Sequence, residues 1–207
     1  MNNNRRIILV ANAVSTVFTP FYLPLVGLAG LLTLTYLSLL PFGYKAFLVV
    51  LFWLFTVFLP TTLIRLYRRY RELSILELLG NRERRAIPYV ASIMSYMLGY
   101  YVLDLSHVPH FMGSILIAAL VVQIGCAVAN MFVKVSTHTA AIGGVGGALA
   151  AFSLIFSFNP VWWLCLVIFM GGVVGTSRMI LRQHSLHEVV LGFLLGAACA
   201  FGAVLVA

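Results

Sequence analysis

Seven runs of the chain, at about 19–40, 45–66, 87–104, 109–133, 140–158, 160–180 and 187–206, are apolar over close to the length that crosses a bilayer. A helix needs about 20 apolar residues to cross the hydrocarbon. No other feature narrows the possible folds so sharply. A soluble domain usually carries about a quarter charged residues, whereas this chain is 62% hydrophobic and 9% charged. With 207 residues it could not hide so much apolar side chain in one soluble core. Lipid must therefore act as part of its solvent. The expected fold is all-α: a polytopic integral membrane helical bundle of about six to seven transmembrane helices, forming a single domain over 1–207. Within it, residues 1–80 read as an N-terminal helical hairpin with an interfacial segment, and 81–207 as a helical core.

Turns separate the runs. "NP" at 159–160 divides the fifth from the sixth, because proline disfavours helix in the residue before it. "SHVP" does the same before the fourth. The stretch "RLYRRYRELSILELLGNRERR" is too charged to span. With Leu73, Ile75, Leu76, Leu78 and Leu79 set among charges, it reads as an amphipathic helix lying along the interface near 65–85. The opening "MNNNRRIILVANAVSTVF" is basic and then apolar, but it runs on into further hydrophobic sequence and shows no cleavable signal peptide.

If all seven runs span, the N-terminus and the segments 65–85, 134–139 and 178–187 share one side. Twelve of the thirteen basic residues then fall there, and only Lys45 lies opposite. Basic loops favour the cytoplasm, so that face is expected to be cytoplasmic. The net charge of +8 suggests anionic lipid; nucleic acid is excluded because the arginines adjoin apolar spans. Cys126, Cys165 and Cys199 are far apart within apolar spans and read as packing residues.

Three polar clusters recur on that face: "NRERRAIP" at 81–88, "KVSTHTA" at 134–140 and "GTSRMILRQHSLHEVVLG" at 175–192. Charge at membrane depth is costly and is usually kept for function. His184 and Glu188 are four residues apart, which on a helix sets them on one face, a turn apart. A carboxylate there fixes the imidazole tautomer and leaves the other nitrogen nucleophilic. Arg178 offers a planar fork for two phosphate oxygens. His138 supplies a second imidazole, Ser136 a hydroxyl, and the backbone N–H groups of 136–139 open a new helix, where anions bind. Two histidines with several arginines suit phosphoryl transfer. The plainer reading makes the arginines membrane-edge anchors, with Glu188 neutralising one of them and His138 capping a span.

The pattern "SRMILRQHSLHE" resembles the third signature of the type 2 phosphatidic acid phosphatase superfamily: Ser-Arg, five residues, His, three residues, Asp. It falls on Ser177, Arg178, His184 and Glu188, with Glu in place of Asp. "VSTHTA" is similar to the second signature, Pro-Ser-Gly-His, at Ser136 and His138, with Val135 and Thr137 replacing Pro and Gly. The first signature, Lys, six residues, Arg-Pro, is matched poorly by "NRERRAIP", where Arg82 and Arg85 share a helical face and Arg84 points elsewhere. The matches cover about 110 residues, in the family's order. The resemblance implies a catalytic core over 81–207, a phosphohistidine intermediate at His184, orientation by Glu188 and acid catalysis by His138. It implies phosphate held by Arg178, Arg82 and Arg85 with Ser136, Thr137 and Lys134, and neither metal nor cofactor. The implied activity is a lipid phosphatase acting on a lipid phosphomonoester or isoprenyl diphosphate. Its substrate would be of the phosphatidate, phosphatidylglycerophosphate or undecaprenyl diphosphate class, in a bacterial inner membrane. A head-group transferase using a lipid alcohol as acceptor, or a non-catalytic transporter or scaffold, are the alternatives.

Other features carry less. "DLSHVPH" sets Asp104, His107 and His110 at three-residue spacing, which reads as a polar turn in preference to a metal site. "IGGVGGALAA" at 142–151 lacks the lysine of a nucleotide loop and reads as a close helix-packing stripe. His187 points off the face of His184 and reads as an interface residue. Trp162, Trp163, Tyr96, Tyr100 and Tyr101 read as ring-belt residues near span ends.

Overall fold

The computed structural model describes residues 2–72 and 81–207, and for 2–4, 68, 70–72 and 81–87 it describes the backbone alone. Among the described residues the chain is helical, with no strand. The order is α1 (Asn2–Val17), α2 (Leu23–Leu34), a 3-10 turn (Tyr36–Leu39), α3 (Phe42–Trp53), a π segment (Leu54–Phe58), α4 (Leu59–Glu72), α5 (Asn81–Leu105), α6 (His110–Phe132), α7 (Thr137–Phe156), α8 (Val161–Ile180) and α9 (Leu186–Val206).

Five helical segments among the described residues are long and apolar enough to cross a membrane: Phe42–Tyr67, His110–Phe132, Thr137–Phe156, Val161–Ile180 and Leu186–Val206. They fit an integral multi-pass membrane protein, and their outward faces carry residues such as Phe42, Phe132, Trp162 and Phe169 exposed to the surroundings. Five is fewer than the six to seven expected. The run 19–40 is not one helix. Its apolar helix α2 has only 12 residues, about 18 Å at the helical rise, too short for the hydrocarbon. Thr35 stops it: the backbone there is extended, and its Oγ1 donates to the Leu31 carbonyl while accepting the Leu37 N–H. Such local side-chain bonds compete with helix continuation. The run 87–104 lies inside α5, which is less apolar, with Ser92, Ser95, Tyr100 and Asp104 along it. The N-terminal 2–17 stretch, which precedes the first of the seven apolar runs, forms a helix of its own, α1. The expected interfacial helix over 65–85 is helical at both ends, while 73–80 lies outside the described residues.

The first long span changes pitch for a local reason. Pro60 has no N–H and its ring crowds the carbonyl four residues back, so the helix widens to a π segment just before it. Thr61 and Thr62 donate their hydroxyls to the Val57 and Phe58 carbonyls of that stretch, and Thr56 donates to the Phe52 carbonyl just before it.

Helix α7 is the centre of the bundle, packed against α9 most extensively and also against α8, α2 and α6. The glycine stripe makes this possible. A Cβ at Gly143 or Gly147 would run into the backbone carbonyls of Phe193 and Ala197 on α9, and one at Gly196 into that of Ala140 on α7. Small residues at four-residue spacing let two helix backbones approach where side-chain packing must drive association in lipid. The main core beside this seam is formed by Leu28, Phe52, Leu103, Met112, Leu116 and Phe152 with their neighbours.

The three cysteines are free; Cys126 is buried and Cys199 partly so, as packing residues would be, whereas Cys165 is exposed. The "DLSHVPH" stretch is the end of α5: His107 N–H bonds to the Asp104 carbonyl and Val108 N–H to that of Leu103, with His107 left-handed. That is a helix-terminating turn. Tyr96, expected in a ring belt, is instead 1% exposed and fully inside the bundle, because α5 presents that face to α6.

Candidate active site

The third cluster starts at the end of α8. Arg182 N–H bonds to the Met179 carbonyl at 2.9 Å and Gln183 N–H to the Arg178 carbonyl at 3.1 Å. These bonds close the helix with Arg182 in the left-handed region at φ 53°. The turn reverses the chain so that His184 is carried back beside Arg178, and α9 then starts behind it. Non-glycine residues are strained in that conformation. Arg182→Gly is expected to raise the unfolding free energy by about 1 kcal/mol, read in denaturant or thermal melts; a lower melting temperature would contradict this account of the turn.

His184 and Glu188 meet, but not on one helical face as their spacing suggests: His184 lies just before the Ser185 cap of α9, and Glu188 in the first turn reaches back to it. His184 Nδ1 and Glu188 Oε2 are 2.7 Å apart, and the same oxygen receives the Ser185 N–H at 3.4 Å. The His184 side chain is 10% exposed and that of Glu188 21%. Among the described residues no hydrogen bond is made by His184 Nε2. Burial holds the His184 imidazole below the usual histidine range; Arg178 and Lys134 push the same way and the Glu188 hydrogen bond opposes them. The ring is therefore neutral at pH 7.

The second cluster comes up against the first because α7 starts where α9 starts. Ser136 N–H bonds to the Glu188 carbonyl at 3.1 Å, and Thr139 Oγ1 donates to the Val189 carbonyl at 3.0 Å. Gly192 is required here: a Cβ on it would lie 2.6 Å from the Ser136 carbonyl oxygen. Ser136 is fully buried, and its hydroxyl accepts the Thr139 N–H at 3.5 Å as the cap of α7. Among the described residues the N–H groups of Thr137 and His138 remain open at this helix start. His138, in the first turn, lies within electrostatic reach of both His184 and Arg178. Its Nδ1 is buried without a hydrogen-bond partner.

Arg178 is half-buried and has no carboxylate partner among the described residues. One end of its fork donates from Nη1 to Ser15 Oγ at 2.7 Å; its Nε is buried without a partner. Lys134 is turned to the protein: its Nζ lies 3.5 Å from Glu188 Oε2 and donates to the Gln183 carbonyl at 2.6 Å. At 53% exposure that ion pair contributes little stability, but it ties the two loops together. The side chains of Arg82 and Arg85 lie outside the described residues, so their place in the site is not part of this geometry.

Sequence reasoning missed three residues that build the site. Ser15 of α1 is 5% exposed and anchors Arg178 from the far end of the chain. Asn130 donates from Nδ2 to the Tyr89 hydroxyl at 2.9 Å and accepts the Val135 N–H at 3.0 Å, setting the loop into α7. Thr139 pins the two helix starts together. Asn130 is an isolated polar residue in an apolar run, which is the one signal it carries; Ser15 adjoins Thr16, and Thr139 sits within the second polar cluster.

The assembled residues are a neutral imidazole held by a carboxylate, a second imidazole, a guanidinium with no carboxylate partner among the described residues, and open N–H groups at a helix start. This combination attracts an oxyanion and can deliver a nitrogen lone pair to it. No family model, curated protein or solved structure matches the chain.

Proposed function

We propose that the chain is a membrane-embedded lipid phosphatase working through a phosphohistidine, as its resemblance to the type 2 phosphatidic acid phosphatase superfamily implies. The supporting observation is the 2.7 Å His184–Glu188 pair set within charge range of a guanidinium that has no carboxylate partner among the described residues. In the proposed reaction the His184 Nε2 lone pair attacks phosphorus. The bond to the lipid oxygen breaks, and His138 delivers a proton to that oxygen. The phosphate itself brings the negative charge that lets His138 carry the proton. Water, deprotonated by His138, then attacks phosphorus and frees phosphate and His184. Arg178 and the Thr137 and His138 N–H groups stabilise the equatorial oxygens. Arg82, Arg85 and Lys134 add positive charge around the phosphate. The substrate is a lipid phosphomonoester or an isoprenyl diphosphate entering from the bilayer of a bacterial inner membrane, with the site on the cytoplasmic face.

The test is phosphate release by the purified protein from phosphatidate, phosphatidylglycerophosphate and undecaprenyl diphosphate, each assayed across pH. The nucleophile is neutral His184, whose value is lowered, so activity holds through neutral pH and falls only as pH drops below about 6.5. Glu188 raises the His184 value, so Glu188→Gln lowers it further: the acid limb moves to lower pH while the rate falls about 10²-fold or more. Release from none of the lipids would sink the phosphatase reading. An acid limb moving the other way would sink the role of Glu188.

A further inference from the structure

Ser15 of α1 faces both halves of the candidate site. Its Oγ accepts the Arg178 Nη1 donor at 2.7 Å, and its main-chain carbonyl is turned to the His138 ring. Packing brings it there. Val14 and Phe18 lie against the buried cluster of Leu23, Ile142 and Val174, and Val174 is one turn before Arg178 on α8. Hydroxyls inside helices of this chain often return their proton to the carbonyl one turn back. Thr16 does so to Asn12 at 2.9 Å and Ser177 to Val173 at 2.8 Å. Ser15 makes no such bond to Ala11 among the described residues; its oxygen is given to Arg178. Buried charge is ordinarily met by opposite charge. A carboxylate in this place would neutralise the guanidinium and compete with an incoming anion for it. A hydroxyl holds the same donor with an uncharged acceptor, so the fork is oriented while its charge stays free for an anion.

We propose that Ser15 is a positioning residue of the anion site: its neutral oxygen sets the Arg178 fork, which makes α1 a wall of the site. The proposal rests on the reading of this site as one that takes a phosphate, though not on hydrolysis itself. It carries the site beyond the 81–207 core into the first helix of the chain.

The experiment uses the full chain in nanodiscs and orthovanadate as the probe, with binding read by calorimetry. Ser15→Ala is expected to weaken binding about tenfold. Thr16→Ala, whose hydroxyl bonds only within α1, is the control and should bind as the wild type does. In an Arg178→Ala background, removing the Ser15 hydroxyl should cost nothing further, since there is no fork left to set. Ser15→Asp and Ser15→Asn have the same shape and differ in charge. The aspartate should pair with Arg178 and bind vanadate at least about tenfold more weakly than the asparagine variant. A purely structural role for Ser15 would weaken binding in both backgrounds and treat Asp and Asn alike. Either of those results overturns the proposal, and so does unchanged binding by Ser15→Ala. The Ser15→Ala cycle, which keeps a good helix former in α1, decides the matter if the two larger side chains prevent folding. Vanadate binding that depends on Ser15 in this way, with no phosphate release from any lipid phosphate, would keep this assignment and sink the phosphatase reading. Phosphate release by a Ser15→Ala protein of undiminished vanadate affinity would do the reverse.

Discussion

His184→Ala is expected to lower phosphate release from lipid by at least about 10⁴-fold, while the purified protein keeps its fold and its melting temperature. The reason lies in the local geometry. His184 follows the turn that ends α8 and precedes α9, outside both helices, so its replacement interrupts neither helix. Its one hydrogen bond among the described residues is to Glu188, which keeps Lys134 and the Ser185 N–H as partners. What disappears is the lone pair that attacks phosphorus. Asparagine at 184 can still accept a hydrogen bond but cannot form the covalent intermediate, so His184→Asn should be as inactive as His184→Ala. His138→Ala should be slower than wild type but retain more activity with a phosphoester whose leaving group needs no proton. Unchanged turnover in His184→Ala refutes the nucleophile assignment outright.

The second large effect concerns the fold. Gly196→Val is expected to lose folded protein in detergent, with destabilisation of at least about 3 kcal/mol. A Cβ at 196 meets the Ala140 carbonyl and its neighbouring backbone atoms, and backbone in a helix cannot step aside as a side chain tip can. Relief requires α7 and α9 to separate. The Ser136–Glu188 and Thr139–Val189 bonds that join the two clusters would go with them. Gly202→Ala on the same helix is the matched control: nothing lies within 4 Å of its Cβ position. It should be neutral or stabilising by up to about 1 kcal/mol. Thermal melts of the two variants side by side separate a close-packing requirement from a general intolerance of substitution in α9. Equal melting of both would contradict the α7–α9 seam.

Parts of this arrangement are legible in the sequence because they are local. The closeness of His184 and Glu188 is suggested by their separation, although they meet across the capped start of α9 and not along a helical face, and the glycine stripe follows from its period. The long runs ending at 132, 156, 180 and 206 follow from length and hydropathy. The remainder depends on contacts that no window of sequence contains. Arg178 and Ser15 are 163 positions apart, and nothing local to either marks the other as its partner. Thr35 stops a helix in an apolar run because its own side chain bonds the preceding turn, a preference that hydropathy does not register. Tyr96 looks like any aromatic near a span end until α6 covers it. Arg82 and Arg85 remain where the sequence left them, chosen by a shared helical face, since their side chains lie outside the described residues.

The central claim is that phosphorus becomes bonded to His184. The most direct measurement is rapid quenching of the wild-type protein during turnover of a lipid labelled in its phosphate, followed by peptide mapping of the protein-bound label. The account predicts an acid-labile, alkali-stable label on the peptide containing His184, absent from His184→Asn. Label on another residue, or turnover with no protein-bound phosphate at the shortest times, would contradict it.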